Sequence, residues 1–151
     1  MTTVHHVARA VGSTGSTAAK YRVDLRVGRH QLIADEPVTA NGGDLGPAPF
    51  GLLVSALAAC TAATLRMYAE HKGWELTTIE VDVRYDVDDD HRGRIERTIT
   101  VPADLTIEQH QRLADLAERT PVTLAIRVGT PITTTFKSPH RTQGTAAISS
   151  Q

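Results

Sequence analysis

The sequence predicts an α+β fold. Three features carry that expectation: strand patterns that come in consecutive pairs, one long helical stretch between the pairs, and a second, capped helix behind them. The order strands, helix, strands, helix, strand differs from the regular alternation that builds a parallel sheet. At 151 residues the chain has the size of one domain. That domain is expected over 1–137, with a polar tail at 138–151 expected to be disordered.

Each element follows from its pattern. Residues 12–17 read as a small-residue loop. Tyr21, Val23, Leu25 and Val27 alternate with Arg22, Asp24 and Arg26, and Gly28-Arg29 turns the chain into a partner strand over 30–34. Pro49 suits a first helical position, where its missing N–H would be unpaired anyway, and good helix formers then run to Glu70 before Gly73 stops them. Leu53, Ala56, Leu57, Cys60, Thr64, Met67 and Tyr68 recur at three- and four-residue steps and are expected to face inward. Ile79, Val81, Val83, Tyr85 and Val87 form one strand face, and Ile95, Ile99 and Val101 another, with Arg97 as the exception. The polar loop 88–93 between them has hairpin length, so the two strands should pair antiparallel. Thr106 and Gln109 make a capping-box signature for a helix over 107–118, with Leu113, Leu116 and Ala117 inward. Thr120-Pro121 starts one short helical turn, and the Thr-rich stretch 132–136 reads as a final strand.

Composition narrows the partners. Sixteen Lys+Arg nearly balance 17 Asp+Glu, so no long-range field draws the chain to a polyanion, and aromatics at 4% leave little to stack on bases. Nucleic acid is not expected, and the core should be aliphatic. The least polar stretch, 50–63, falls short of the roughly 20 residues of a membrane span. The first residues lack a secretory pattern and one cysteine cannot form an internal disulfide, so the cytoplasm is the expected compartment.

Cys60 is the candidate reactive residue. A lone helical cysteine among alanines is ordinarily small apolar filler, and reactivity needs a thiolate. The helix dipole acts only on the first turn, which Cys60 lies beyond, and Arg66 falls on nearly the opposite side of the helix. An activating cation must come from elsewhere, with Arg9, Arg22, Arg26 and Arg29 as the candidates. The Gly- and Pro-rich run 42–49 reads as rigid turns that set where the helix begins. It lacks the Lys-Ser or Lys-Thr pair of a phosphate-binding loop. The histidines, at 5, 6, 30, 71, 91, 110 and 140, show no metal-ligand spacing, and neither metal nor cofactor is expected.

Several runs together resemble one family. Asp35-Glu36-Pro37, Gly42-Gly43-Asp44-Leu45-Gly46-Pro47, the stretch 56–69 around Cys60, Lys72-Gly73-Trp74, Arg94-Ile95-Glu96-Arg97, the 105–116 helix and Thr120-Pro121-Val122 are similar to the osmotically inducible protein C (OsmC) family, which includes the organic hydroperoxide resistance (Ohr) proteins. The resemblance spans residues 21–135. It implies an intertwined homodimer, with antiparallel sheets from both subunits wrapped around long central helices and active sites at the interface. It also implies reduction of organic hydroperoxides: the helix cysteine attacks the peroxide, becomes a sulfenic acid, and a second cysteine resolves it.

The sequence departs from that pattern where the chemistry lies. The family's Cys-Pro-Val-His run reads Thr120-Pro121-Val122-Thr123, so the resolving thiol and the imidazole beside it are gone. The carboxylate that the family places just after the helix-start proline is replaced by Phe50 and Gly51. Two functions follow as expectations. One is a single-cysteine peroxidase that acts through Cys60 in oxidative stress defence and is regenerated by an external thiol reductant. The other is a catalytically lapsed dimer that binds an apolar small molecule.

Overall fold

The computed structural model describes residues 6–15, 19–102 and 104–137. The expected tail at 138–151 lies outside them. An N-terminal antiparallel sheet is built from β1 (Ala10–Ser13), β2 (Val23–Val27) and β3 (His30–Ala34), in that spatial order. Helix α1 (Pro49–Lys72) follows, then the hairpin of β4 (Glu80–Val87) and β5 (Gly93–Thr100), and finally helices α2 (Ile107–Ala117) and α3 (Pro121–Val128). The β4–β5 register sets Val83 opposite Arg97 and Tyr85 opposite Ile95. Strand β1 takes up the start of the predicted small-residue loop. Its backbone pairs with β2 from Ala10 opposite Val27 to Ser13 opposite Asp24, and that pairing needs no apolar side chains.

The termini of α1 and α2 are set as predicted. Pro49 is the first residue of α1, and Gly73 ends it in a left-handed conformation (φ 68°) with its N–H on the Ala69 and Glu70 carbonyls. At α2, Thr106 Oγ1 accepts from Gln109 N–H and Gln109 Oε1 accepts from Thr106 N–H, which closes the capping box. α3 extends the expected single turn to eight residues.

The core lies between the C-terminal half of α1, the β4–β5 hairpin and α2. Leu65, Ala69, Leu76, Leu113 and Ala117 are buried, and Tyr68, Trp74, Ile79 and Ile99 pack against them. The buried stripe of α1 is Leu57, Thr61, Leu65 and Ala69. It lies about 100° around the helix from the line through Leu53, Cys60, Thr64 and Met67. The predicted inward stripe is therefore corrected in part: Leu57 is buried and Tyr68 packs on the core as expected, but Leu53, Cys60 and Thr64 are only half-buried, and this chain leaves the side with Ala56 and Met67 open, Met67 at 68% exposed. An apolar sequence on both sides had made the choice between them invisible. The whole helix, at 24 residues, is also long and apolar enough to cross a membrane, which the 50–63 stretch alone is not.

The final strand expected over 132–136 does not form. A strand needs a neighbour for its backbone groups and a face to bury. Here the segment lies against neither sheet, and Phe136 is 97% exposed.

Candidate functional site

The site is assembled from the start of α1. Asp35, 2% exposed, follows β3 and folds the Gly-rich run back on itself. Its carboxylate accepts from the backbone N–H groups of Glu36 at 2.8 Å, Gly43 at 3.0 Å and Leu45 at 3.3 Å. Two glycines let the backbone come that close. A side chain at Gly42 would strike the Glu36 carbonyl, and one at Gly46 the Ile33 carbonyl. The run therefore fixes where α1 begins, as the sequence predicts. Phe50, where the resembled family keeps a carboxylate, stacks on Tyr85 of β4 with ring centroids 4.4 Å apart.

Cys60 is half-buried on α1, at the edge of the side that the chain leaves open. Among the described residues, no arginine is hydrogen-bonded to its sulfur. Of the four candidate cations, Arg22 is engaged with Asp24 at 2.7 Å, and none of Arg9, Arg26 or Arg29 reaches Cys60 by a hydrogen bond. Arg66 instead donates to the carbonyls of Leu76 and Thr77, bracing the turn after the helix.

The guanidinium that the structure does bring to α1 from another element belongs to Arg97, which bonds the residue after Cys60 and whose side chain is 11% exposed. Nη1 donates to Thr61 Oγ1 at 3.0 Å and to Thr123 Oγ1 at 2.9 Å, and Nη2 to the Ala117 carbonyl at 3.0 Å and Glu118 Oε1 at 3.0 Å. The hydroxyls complete the pattern: Thr61 donates to the Leu57 carbonyl at 2.8 Å, and Thr123 to the Ala117 carbonyl at 3.3 Å. Thr120 Oγ1 lies 2.7 Å from Thr123 Oγ1. With its own proton on Ala117, Thr123 accepts from Thr120 as well as from Arg97. Glu118 also receives Arg127, and these two cations, Arg127 foremost, hold its carboxyl below the usual carboxylate range. This network ties α1, β5, α2 and α3 together at the place where the resembled family has its second cysteine and histidine.

Beside it lies a cleft of about 600 Å³ whose walls include Leu57, Tyr85, Ile95 and Ile126, with Arg97, Glu118 and Arg127 at its polar end. Sequence reasoning did not select Arg97, Glu118 or Arg127. Arg97 carried a usable signal, since it interrupts the apolar face of β5; Glu118 and Arg127 carried none.

The family model for OsmC-like proteins matches residues 42–135. The chain belongs to the OsmC-like protein family. The match takes in all of α1, the hairpin and both later helices, so Cys60 and Arg97 stand inside the family's own segment. No curated protein matches the sequence. Among solved structures, the organic hydroperoxide resistance protein OhrB of Bacillus subtilis is 26% identical, with a TM-score of 0.56, covering 81% of this chain and 91% of that one. An OsmC-like protein from Mycoplasma pneumoniae, 17% identical, superposes with a TM-score of 0.69 over 82% and 89% of the two chains. A third, from Legionella pneumophila and described as an organic hydroperoxide resistance protein, is 17% identical with a TM-score of 0.60 over 83% and 92%. These likenesses establish the OsmC/Ohr fold and place hydroperoxide resistance proteins among this chain's structural neighbours.

Proposed function

We propose that this OsmC-like chain reduces organic hydroperoxides in the cytoplasm with Cys60 as nucleophile, working as a homodimer. The reading rests on the half-buried cysteine, set in the family's segment on the side of α1 that its own chain leaves open. The thiolate attacks one peroxide oxygen and the O–O bond breaks. The sulfur keeps that oxygen as a sulfenic acid, and the other leaves as an alkoxide that takes a proton from water. Thr120 and Thr123 cannot resolve the sulfenic acid. An external thiol condenses with it, releasing water, and a second thiol opens the mixed disulfide to restore Cys60.

A second copy supplies what one chain lacks. The open side of α1 and the exposed residues Leu32 and Leu45 beside the N-terminal sheet need cover, and the thiolate needs a cation. Stopped-flow mixing with cumene hydroperoxide should consume the Cys60 thiol faster than free cysteine at the same pH, and Cys60→Ser should abolish the reaction. Thiol loss no faster than that of free cysteine would end the peroxidase reading, and a monomer by sedimentation velocity would end the dimeric one.

A further inference from the structure

The cleft between the β4–β5 hairpin and α3 combines an apolar wall with an unbalanced charge. Leu57, Tyr85, Ile95 and Ile126 supply the wall. At its polar end two guanidiniums, Arg97 and Arg127, face a single carboxylate, since among the described residues Glu118 is the only acidic one that lines the cleft. One positive charge is left without an acid. Arg97 is already fixed by its bonds to two threonine hydroxyls and the Ala117 carbonyl, so a ligand would meet a pre-set donor and lose little freedom to it. Glu118 is bound differently: its side chain is 56% exposed and can turn back to water if another anion takes its place. A volume of about 600 Å³ suits a small ligand.

We propose that this cleft binds a small amphipathic monocarboxylate, its apolar chain along Leu57, Ile95 and Ile126 and its carboxylate on Arg97 and Arg127 in place of Glu118. The purely apolar ligand expected from the sequence would leave that charge unmet. Nothing in this binding requires the Cys60 thiol, so the site stands or falls apart from the peroxidase reading.

Isothermal titration calorimetry of the full chain with octanoate, 1-octanol and octylamine tests it. Octanoate should bind at least about tenfold more tightly than octanol, as a charge-assisted bidentate contact demands, and octylamine should not bind. Arg127→Gln, at an exposed position, should weaken octanoate about tenfold without lowering the melting temperature by more than a few degrees. Glu118→Gln should leave octanoate binding intact or tighten it, and Cys60→Ser should leave it unchanged. Equal affinity for octanoate and octanol overturns the proposal. So does no heat of binding at millimolar octanoate. If Arg127→Gln shifts the sedimentation coefficient while octanoate affinity stays the same, the cleft is a subunit contact and the proposal also fails.

Discussion

The N-terminal sheet and the body that follows it are built on opposite plans. In the body, α1 packs on β4, α2 and α3, and the core at Leu65 and Leu113 is closed to water. The strands of the N-terminal sheet pack chiefly on one another, and a cavity of about 830 Å³ lies against them, lined by residues of all three strands, among them Val11, Leu25 and Ile33. Three short strands with no layer over them bury too little to stand alone. This chain therefore carries its own core for the body only, while the N-terminal sheet depends on what covers it.

Matched leucine-to-alanine substitutions test that contrast. Leu65→Ala, at a fully buried position, should cost about 3 kcal/mol in urea unfolding at any protein concentration. Leu25→Ala should cost little in dilute protein and more as concentration rises. Equal, concentration-independent losses would erase the distinction between the two regions. At the joint, Asp35→Ala should cost about 2–3 kcal/mol, because three backbone donors lose a charged acceptor. Hydrogen exchange should quicken first at Gly43 and Leu45, and protection unchanged there would deny Asp35 its role. In the body, Thr106→Ala removes the capping box and should cost about 1 kcal/mol, read as a fall of about 2–4 °C in melting temperature.

The smallest effect is electrostatic. Arg127 first, and Arg97 with it, hold the Glu118 carboxyl below its ordinary range. A carboxylate whose folded value is depressed adds stability above its unfolded value, and that contribution fades as pH falls through the folded one. The stability gap between the native chain and Glu118→Gln should therefore be present at pH 7 and close as pH drops below about 4. Because Glu118 is more than half exposed, the gap should be small. A gap that persists at pH 2 would mean that Glu118 acts by shape and not by charge.

Local chemistry made most of the fold legible. Pro49, Gly73 and the Thr106–Gln109 pair mark their termini through donors and acceptors that lie next to one another in sequence, and the hairpins follow from period-two alternation. The rotation of α1 was not legible, since apolar residues lie all round it and only tertiary packing selects Leu57, Thr61, Leu65 and Ala69. The strand expected at 132–136 failed for the converse reason: side-chain pattern alone cannot provide a neighbouring edge. At the site, Cys60 could be singled out as the lone thiol, but the Arg97 network is made of bonds that span up to 36 positions each and shows in sequence only as one charge on an apolar strand face.

The knot that joins α1, β5, α2 and α3 is made of hydroxyls, a guanidinium and carbonyls, none of which gains or loses electrons under cellular conditions. A disulfide at that position would tighten or loosen the scaffold with each oxidation event. With Thr120 and Thr123 there, the chain should melt at the same temperature in dithiothreitol as in air, leaving its architecture indifferent to the redox poise around it.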